Sequence, residues 1–213
     1  MTIGTVLLTI RTMQQRLKQA LSQRQKRHIV EASRVPAAVL LPIYYKQGQY
    51  YILLTKRTQK VKEHKAQISF PGGAYQEGNG TLVNTALREC AEEIGLIPSD
   101  VEVLGELDDV VTETSSYTIS PVVGLIPCSY QFKVDGKETE EIIEVPISVL
   151  LDKNSRHKET KIINGKAVTS YSYHYQGKVI WGATARILSQ FLDIVAGVME
   201  NKSEDQTAAE RTA

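Results

Sequence analysis

The stretch Thr81 to Gly95 leaves few choices to the chain around it. Val83, Ala86, Leu87, Cys90 and Ile94 recur at helical spacing and form one apolar stripe that must be buried. Glu89, Glu92 and Glu93 stand at i, i+3 and i+4, so their carboxylates gather on one side, flanking that stripe. Three like charges beside a core face repel one another, and hard divalent cations with oxygen ligands are the usual compensation. Arg88 can pair with Glu92 at i+4 and hold that carboxylate in orientation. Glutamates on a helix are most often a solvated face. The segment Phe70-Pro71-Gly72-Gly73 directly upstream gives these ones another meaning, because paired glycines let the backbone approach a ligand closely. A glycine carbonyl there can join the helix carboxylates around a cation.

The rest of the chain alternates between strand and helix patterns. Val6, Ile10, Met13, Leu17 and Leu21 mark an N-terminal helix, which could cap the domain or mediate a dimer. Ala37 to Tyr45 and Tyr50 to Lys56 read as strands joined through Gly48, and Val101 to Val111 and Tyr117 to Ile126 as two more. Between them lie a polar, basic loop from Arg57 to Gln67 and the helix from Thr81 to Ile94, closed by Gly95 as C-cap. The acidic loop Asp135 to Glu141 leads into the apolar segment Ile142 to Leu151. A last hairpin, Lys161 to Ile163 and Tyr171 to Tyr175 around Asn164-Gly165, precedes an amphipathic helix from Ala183 to Met199. The reading is an α+β fold, a mixed β-sheet sandwiched between α-helices. Residues 1–30 are taken as a helical extension, 31–199 as the domain, and 200–213 as a polar, disordered tail.

Composition narrows the function by exclusion. With 25 Lys and Arg against 24 Asp and Glu, the net charge of +1 argues against nucleic-acid binding by broad phosphate neutralisation. It leaves room for a small phosphorylated ligand on a local basic patch. Two cysteines supply neither a disulfide framework nor a zinc cluster, and no apolar run approaches the length of a membrane span. Thr5 to Ile10 is too short for a signal-peptide core. The expected setting is cytoplasmic.

Gly72-Gly73 followed by Arg88-Glu89-Cys90-Ala91-Glu92-Glu93-Ile94-Gly95-Leu96 resembles the signature of the Nudix hydrolases. That family cleaves diphosphate linkages joined to another group, using magnesium or manganese. Leu53-Leu54-Thr55-Lys56-Arg57-Thr58, His64, and Gln67-Ile68-Ser69-Phe70-Pro71-Gly72-Gly73 resemble its coenzyme A pyrophosphatase branch more specifically. So do Thr85 to Glu89 and Ile180 to Leu188, and the resemblance runs from about Val35 to about Leu192. There are departures. Gly80 stands where the general pattern has a glutamate, Gln76 and Asn79 where the branch tends to have aspartate, and Ala66 where it has glycine. These departures leave Glu77 as the only acid in that loop, and a weakened outer metal site, a changed substrate or reduced activity would all be consistent with them.

The resemblance implies a Nudix fold in which Glu89, Glu92, Glu93 and the Gly73 carbonyl hold Mg2+ or Mn2+, with Arg88 orienting the acids. Glu93 is the first choice for an essential ligand. Lys56, Arg57, Lys60, Lys62, His64 and Lys65 make the loop before Gly72 basic, which suits coenzyme A with its 3′-phosphate. The implied substrate-binding set is therefore Arg57, His64, Lys56, Gly72 and Gly73, and the implied reaction splits coenzyme A into adenosine 3′,5′-bisphosphate and 4′-phosphopantetheine. A further acid from a distant loop is expected among Glu138, Glu140, Glu141 and Glu144, with no ground for choosing one. Tyr171, Tyr173 and Tyr175 are read as strand alternation and Trp181 as core or helix-junction packing, in preference to stacking on adenine. The alternatives are a Nudix pyrophosphatase acting on ADP-ribose or (deoxy)nucleoside triphosphates, and a nucleotide-binding module without catalysis. The expected partner is a small nucleotide-diphosphate molecule, with no nucleic acid and no membrane, in a chain that can form a homodimer.

Overall fold

The computed structural model describes residues 3–59, 66–78, 80–113, 115–128, 130–163 and 166–212. Strand β1 (Val35–Lys46) forms the middle of an eight-stranded sheet. Ala38, Leu40 and Tyr44 bury on one of its faces, Leu41 and Ile43 on the other. A strand apolar on both sides needs a layer against each. β1 turns through Gln47 and Gly48, both at positive φ, into the antiparallel β2 (Gln49–Arg57), the two-residue hairpin geometry that matches strand twist. Its other edge pairs in parallel with β7 (Tyr117–Leu125). β3 (Ile68–Ser69) and β8 (Thr139–Pro146) extend the sheet from β2, and β4 (Gly72–Ala74) pairs with the first half of β1.

The run from Val101 to Val111 is two strands, β5 (Glu102–Glu106) and β6 (Val110–Val111), both on β7. β5 is irregular between Val103 and Gly105, where a helix packs closely on the strand. A Cβ on Gly105 would lie 2.7 Å from the Leu21 Cβ. That helix, α1 (Ile3–Ser22), places Leu17 and Leu21 in the same apolar cluster as Leu188, Phe191 and Leu192 of α4 (Gly182–Thr212). The N-terminal segment thus caps one face of the sheet together with α4 and the short α3 (Ile147–Leu151). On the opposite face lies α2 (Leu82–Ile94), which buries Ala86, Cys90 and Ile94. The result is the mixed sheet between helices that the sequence implied. α4 continues to Thr212, past Met199 where its apolar stripe ends. Ala208, Ala209, Glu210 and Arg211 favour helix whether or not anything packs on them.

A second, three-stranded sheet stands beside the first: β9 (Arg156–Ile163), β10 (Lys166–Tyr175) and β11 (Lys178–Ile180). Only the ends of β9 and β10 were legible, because Arg156 to Thr160 has no apolar alternation to mark a strand. The turn at Asn164-Gly165 lies outside the described residues. Among the described residues no helix is long and apolar enough to cross a membrane.

Candidate active site

Two backbone positions fix the floor of the site. Gly72 and Gly73 pair with Val39 and Ala38 of β1, and Gly72 has φ +155°. A Cβ there would lie 2.2 Å from the Ala38 carbonyl oxygen, so a side chain cannot be placed without moving β1. At Gly73 a Cβ would fall 2.5–2.7 Å from the carboxylate atoms of Glu89, so β4 backbone and helix carboxylate lie in direct apposition. α2 is started by Thr81, whose hydroxyl accepts from the Asn84 N–H at 3.1 Å, and stopped by Gly95 at φ +70°. With both ends fixed, the helix presents Glu89, Glu92 and Glu93 at set heights.

Their environments differ. Arg88 holds Glu89 and Glu92 together, donating to both, the second at 2.8 Å. Glu92 faces solvent, and Glu89 is half-buried with its pKa raised by burial against the pull of Arg88. Glu93 is only 5% exposed, and its pKa is pushed up to about 8. Burial is the main cause, with the Glu138 and Glu89 carboxylates adding to it and Arg57 and the Gly72 N–H opposing it. The Thr139 hydroxyl also reaches Glu93, at 3.4 Å.

This donor set fits a hard divalent cation: all-oxygen, in excess of negative charge, with two carboxyls that burial and mutual repulsion press toward the neutral form. Among the described residues no three acids are already gathered around a common point, because Arg88 draws Glu89 and Glu92 to itself. Glu89, Glu93 and the Gly73 carbonyl are the groups that could hold an ion, whereas Glu92 is exposed and paired with Arg88.

Above this floor opens a cleft of about 1370 Å³ lined by Gly72, Gly73, Glu89, Arg57 and Glu138. Of the four candidate distant acids, Glu138 alone lies here, with Arg57 at 3.4 Å. Glu140 pairs with Lys56 at 2.6 Å, Glu141 with Lys178 at 3.1 Å, and Glu144 with Tyr44 and, at 3.0 Å, Lys46. Lys56 therefore does not reach the cleft, since alternation on β2 turns it the opposite way from Arg57. His64 lies outside the described residues, as do Lys60, Lys62, Lys65 and Asn79. Gly80 sits at φ +75°, a backbone setting where a glutamate would be strained.

The opposite wall was not foreseen. It is built from the second sheet and the start of α4, with His157, His174, Tyr171, Trp181 and Arg186 at the surface. Of the two expected settings, core or helix-junction packing, Trp181 takes the position at the β11–α4 junction, but it is 49% exposed there and lines the cleft. Ile180 fills the last buried position of β11, and Gly182 at φ +67° turns the chain straight into α4, leaving the indole outside. The tyrosines do alternate in a strand: Tyr173 is fully buried, and Tyr171 lies under the Arg156 guanidinium at 4.3 Å. No apolar or spacing signal in β9 could have pointed to this wall.

The family model described as NUDIX domain matches residues 33–164. An uncharacterised Nudix hydrolase NudL of Photorhabdus laumondii is 37% identical over 154 residues, 72% of this chain and 81% of the relative. One of the same name from Yersinia pestis is 34% identical over 161 residues, covering 76% of this chain and 80% of the relative. Among solved structures, a MutT/nudix family protein from Enterococcus faecalis superposes with a TM-score of 0.52 at 13% identity, over 92% of this chain and 70% of that one, which supports the fold alone.

Proposed function

The chain belongs to the Nudix family of diphosphate-cleaving hydrolases, and on that premise we propose that it hydrolyses coenzyme A or its thioesters to adenosine 3′,5′-bisphosphate and 4′-(acyl)phosphopantetheine. The observation that carries the catalytic part is the apposition of the Glu89 carboxylate on Gly73, with buried Glu93 beneath and Glu138 across the cleft. The substrate part is supported by the segment from Leu53 to Gly73 and its resemblance to the coenzyme A branch.

Glu89, Glu92, Glu93 and the Gly73 carbonyl would hold magnesium or manganese, which would supply charge neutralisation at the diphosphate and a more acidic water. Arg88 donates to both Glu89 and Glu92 and holds the two carboxylates in orientation. Glu138 takes the proton of the attacking water on its carboxylate, as the water oxygen bonds to one phosphorus and the bridging P–O bond breaks. Arg57 serves twice, steering Glu138 and offering its guanidinium to the substrate phosphates. Gly72 and Gly73 keep the floor low enough for the diphosphate to lie on the backbone.

The test is chromatography of products from coenzyme A, ADP-ribose and a nucleoside triphosphate, each incubated with enzyme and magnesium or manganese. Adenosine 3′,5′-bisphosphate with 4′-phosphopantetheine is the expected pair. Turnover of ADP-ribose or the triphosphate in its place would keep the chemistry and replace the substrate. Binding without any turnover would make the chain a nucleotide-binding module.

A further inference from the structure

The two sides of the cleft differ in chemistry. The floor is acidic and suited to a metal-borne diphosphate, whereas the wall formed by β9 and β10 carries histidine and serine. Of that wall, β9 lies within the matched region, which stops at residue 164, and β10, β11 and α4 follow it.

His157 of β9 stands opposite Ser172 of β10 in the register, and His174 lies one same-face position further along β10. The two imidazole rings are 4.2 Å apart between centroids, and both line the cleft. Neither has an ion pair among the described residues, although two rings this close repel each other whenever both are charged. The other face of the hairpin is anchored. Tyr173 is fully buried, and the Arg156 guanidinium, stacked on Tyr171, donates to Ser189 at 2.8 Å and meets Asp193 at 3.5 Å, both on α4. The hairpin that carries the two histidines, His157 on β9 and His174 on β10, is thus anchored to α4. Of the other charged groups that line the cleft, Glu159 shares the face of His157 on β9, Lys158 follows His157 on the opposite face of the strand, and Arg186 and Glu113 stand 3.7 Å apart.

We propose that His157, His174 and the Ser172 hydroxyl form a second anion subsite, which takes a phosphomonoester of the substrate separate from the diphosphate that is cleaved. Ring N–H groups and a hydroxyl side by side match the several oxygens of a terminal phosphate, and a bound dianion relieves the repulsion within the pair. The subsite rests on the functional reading above, and it names the feature that separates coenzyme A from diphosphates with no further phosphate.

The experiment compares kcat/KM for coenzyme A and 3′-dephospho-coenzyme A in the wild type, His157→Gln with His174→Gln, and Ser172→Ala. The double variant should lose about 10-fold on coenzyme A and leave the dephosphorylated substrate unchanged, with the serine variant changing in the same sense by less. An equal fall on both substrates, or no change on either, overturns the proposal. Calorimetry of adenosine 3′,5′-bisphosphate against AMP decides it even where coenzyme A is not turned over. Tighter binding of the bisphosphate that vanishes in the double variant supports the subsite, and equal affinities in the wild type refute it.

Discussion

Gly73 is a residue whose importance is a matter of absent atoms. Its Cβ would fall on the Glu89 carboxylate, and the sequence could announce this only as a repeated glycine before a helix. Ala66 poses the inverse case. The sequence showed alanine where the coenzyme A branch has glycine, and the backbone there lies at φ +57°, a left-handed setting that costs a Cβ-bearing residue energy. Ala66→Gly is expected to stabilise the protein by about 0.5–1 kcal/mol, the relief of strain being partly offset by the freer unfolded chain. Urea denaturation would register it as a higher midpoint at unchanged slope. A lower midpoint would mean that the alanine methyl packs usefully.

At the scale of elements, the segment before β8 shows why four glutamates looked equivalent. Asp135 ties this turn, its carboxylate accepting the N–H groups of Lys137, Glu138 and Thr139 while its own N–H donates to the Glu93 carbonyl at 3.0 Å. The ladder between β2 and β8 then shifts at Lys56/Arg57, so that Arg57 faces Thr139 and the residue before it, Glu138, reaches the cleft. Asp135-Gly136 marks a turn, but neither it nor the shift tells from sequence which glutamate faces the cleft, whereas α2, with its stripe and its Gly95 C-cap, was readable almost to the residue. Glu138→Gln is expected to lower kcat roughly 10²-fold or more, as loss of a general base does. Glu140→Gln breaks only a surface pair with Lys56 and should leave kcat within about twofold. Steady-state kinetics on the two variants separates them, and equal effects would remove Glu138 from its role.

Over the whole molecule, the strand and helix order followed from hydrophobic period, but the docking of the N-terminal segment did not. That segment is tied by polar contacts with no pattern in sequence: Arg24 to Asp108 at 2.9 Å, Lys26 to Glu106 at 2.5 Å, and the Ile29 N–H to Asp109 at 3.0 Å. Burial alone would raise the pKa of Asp109. The Ser120 hydroxyl at 2.5 Å, the Ile29 N–H and Lys26 outweigh it and hold the carboxyl below its usual 3.8. A carboxylate lowered in the folded state stabilises above its unfolded pKa, so this contribution is complete near neutrality and lost as pH falls below about 4. Denaturant midpoints between pH 6 and pH 3 should fall more for the wild type than for Asp109→Asn, and parallel curves would contradict the linkage. The second sheet was legible only in part, as the ends of its last hairpin, because its polar strand β9 and the exposed Trp181 take their place from neighbours distant in the chain. The central claim is that the carboxylates of α2 act through a divalent ion on a diphosphate. Its most direct test is coenzyme A turnover titrated with magnesium and with manganese, for the wild type and Glu93→Gln. Turnover that requires the ion and collapses by roughly 10²-fold or more in the variant is the expected result. Turnover that persists in Glu93→Gln, or that proceeds without added ion after chelation, would contradict it.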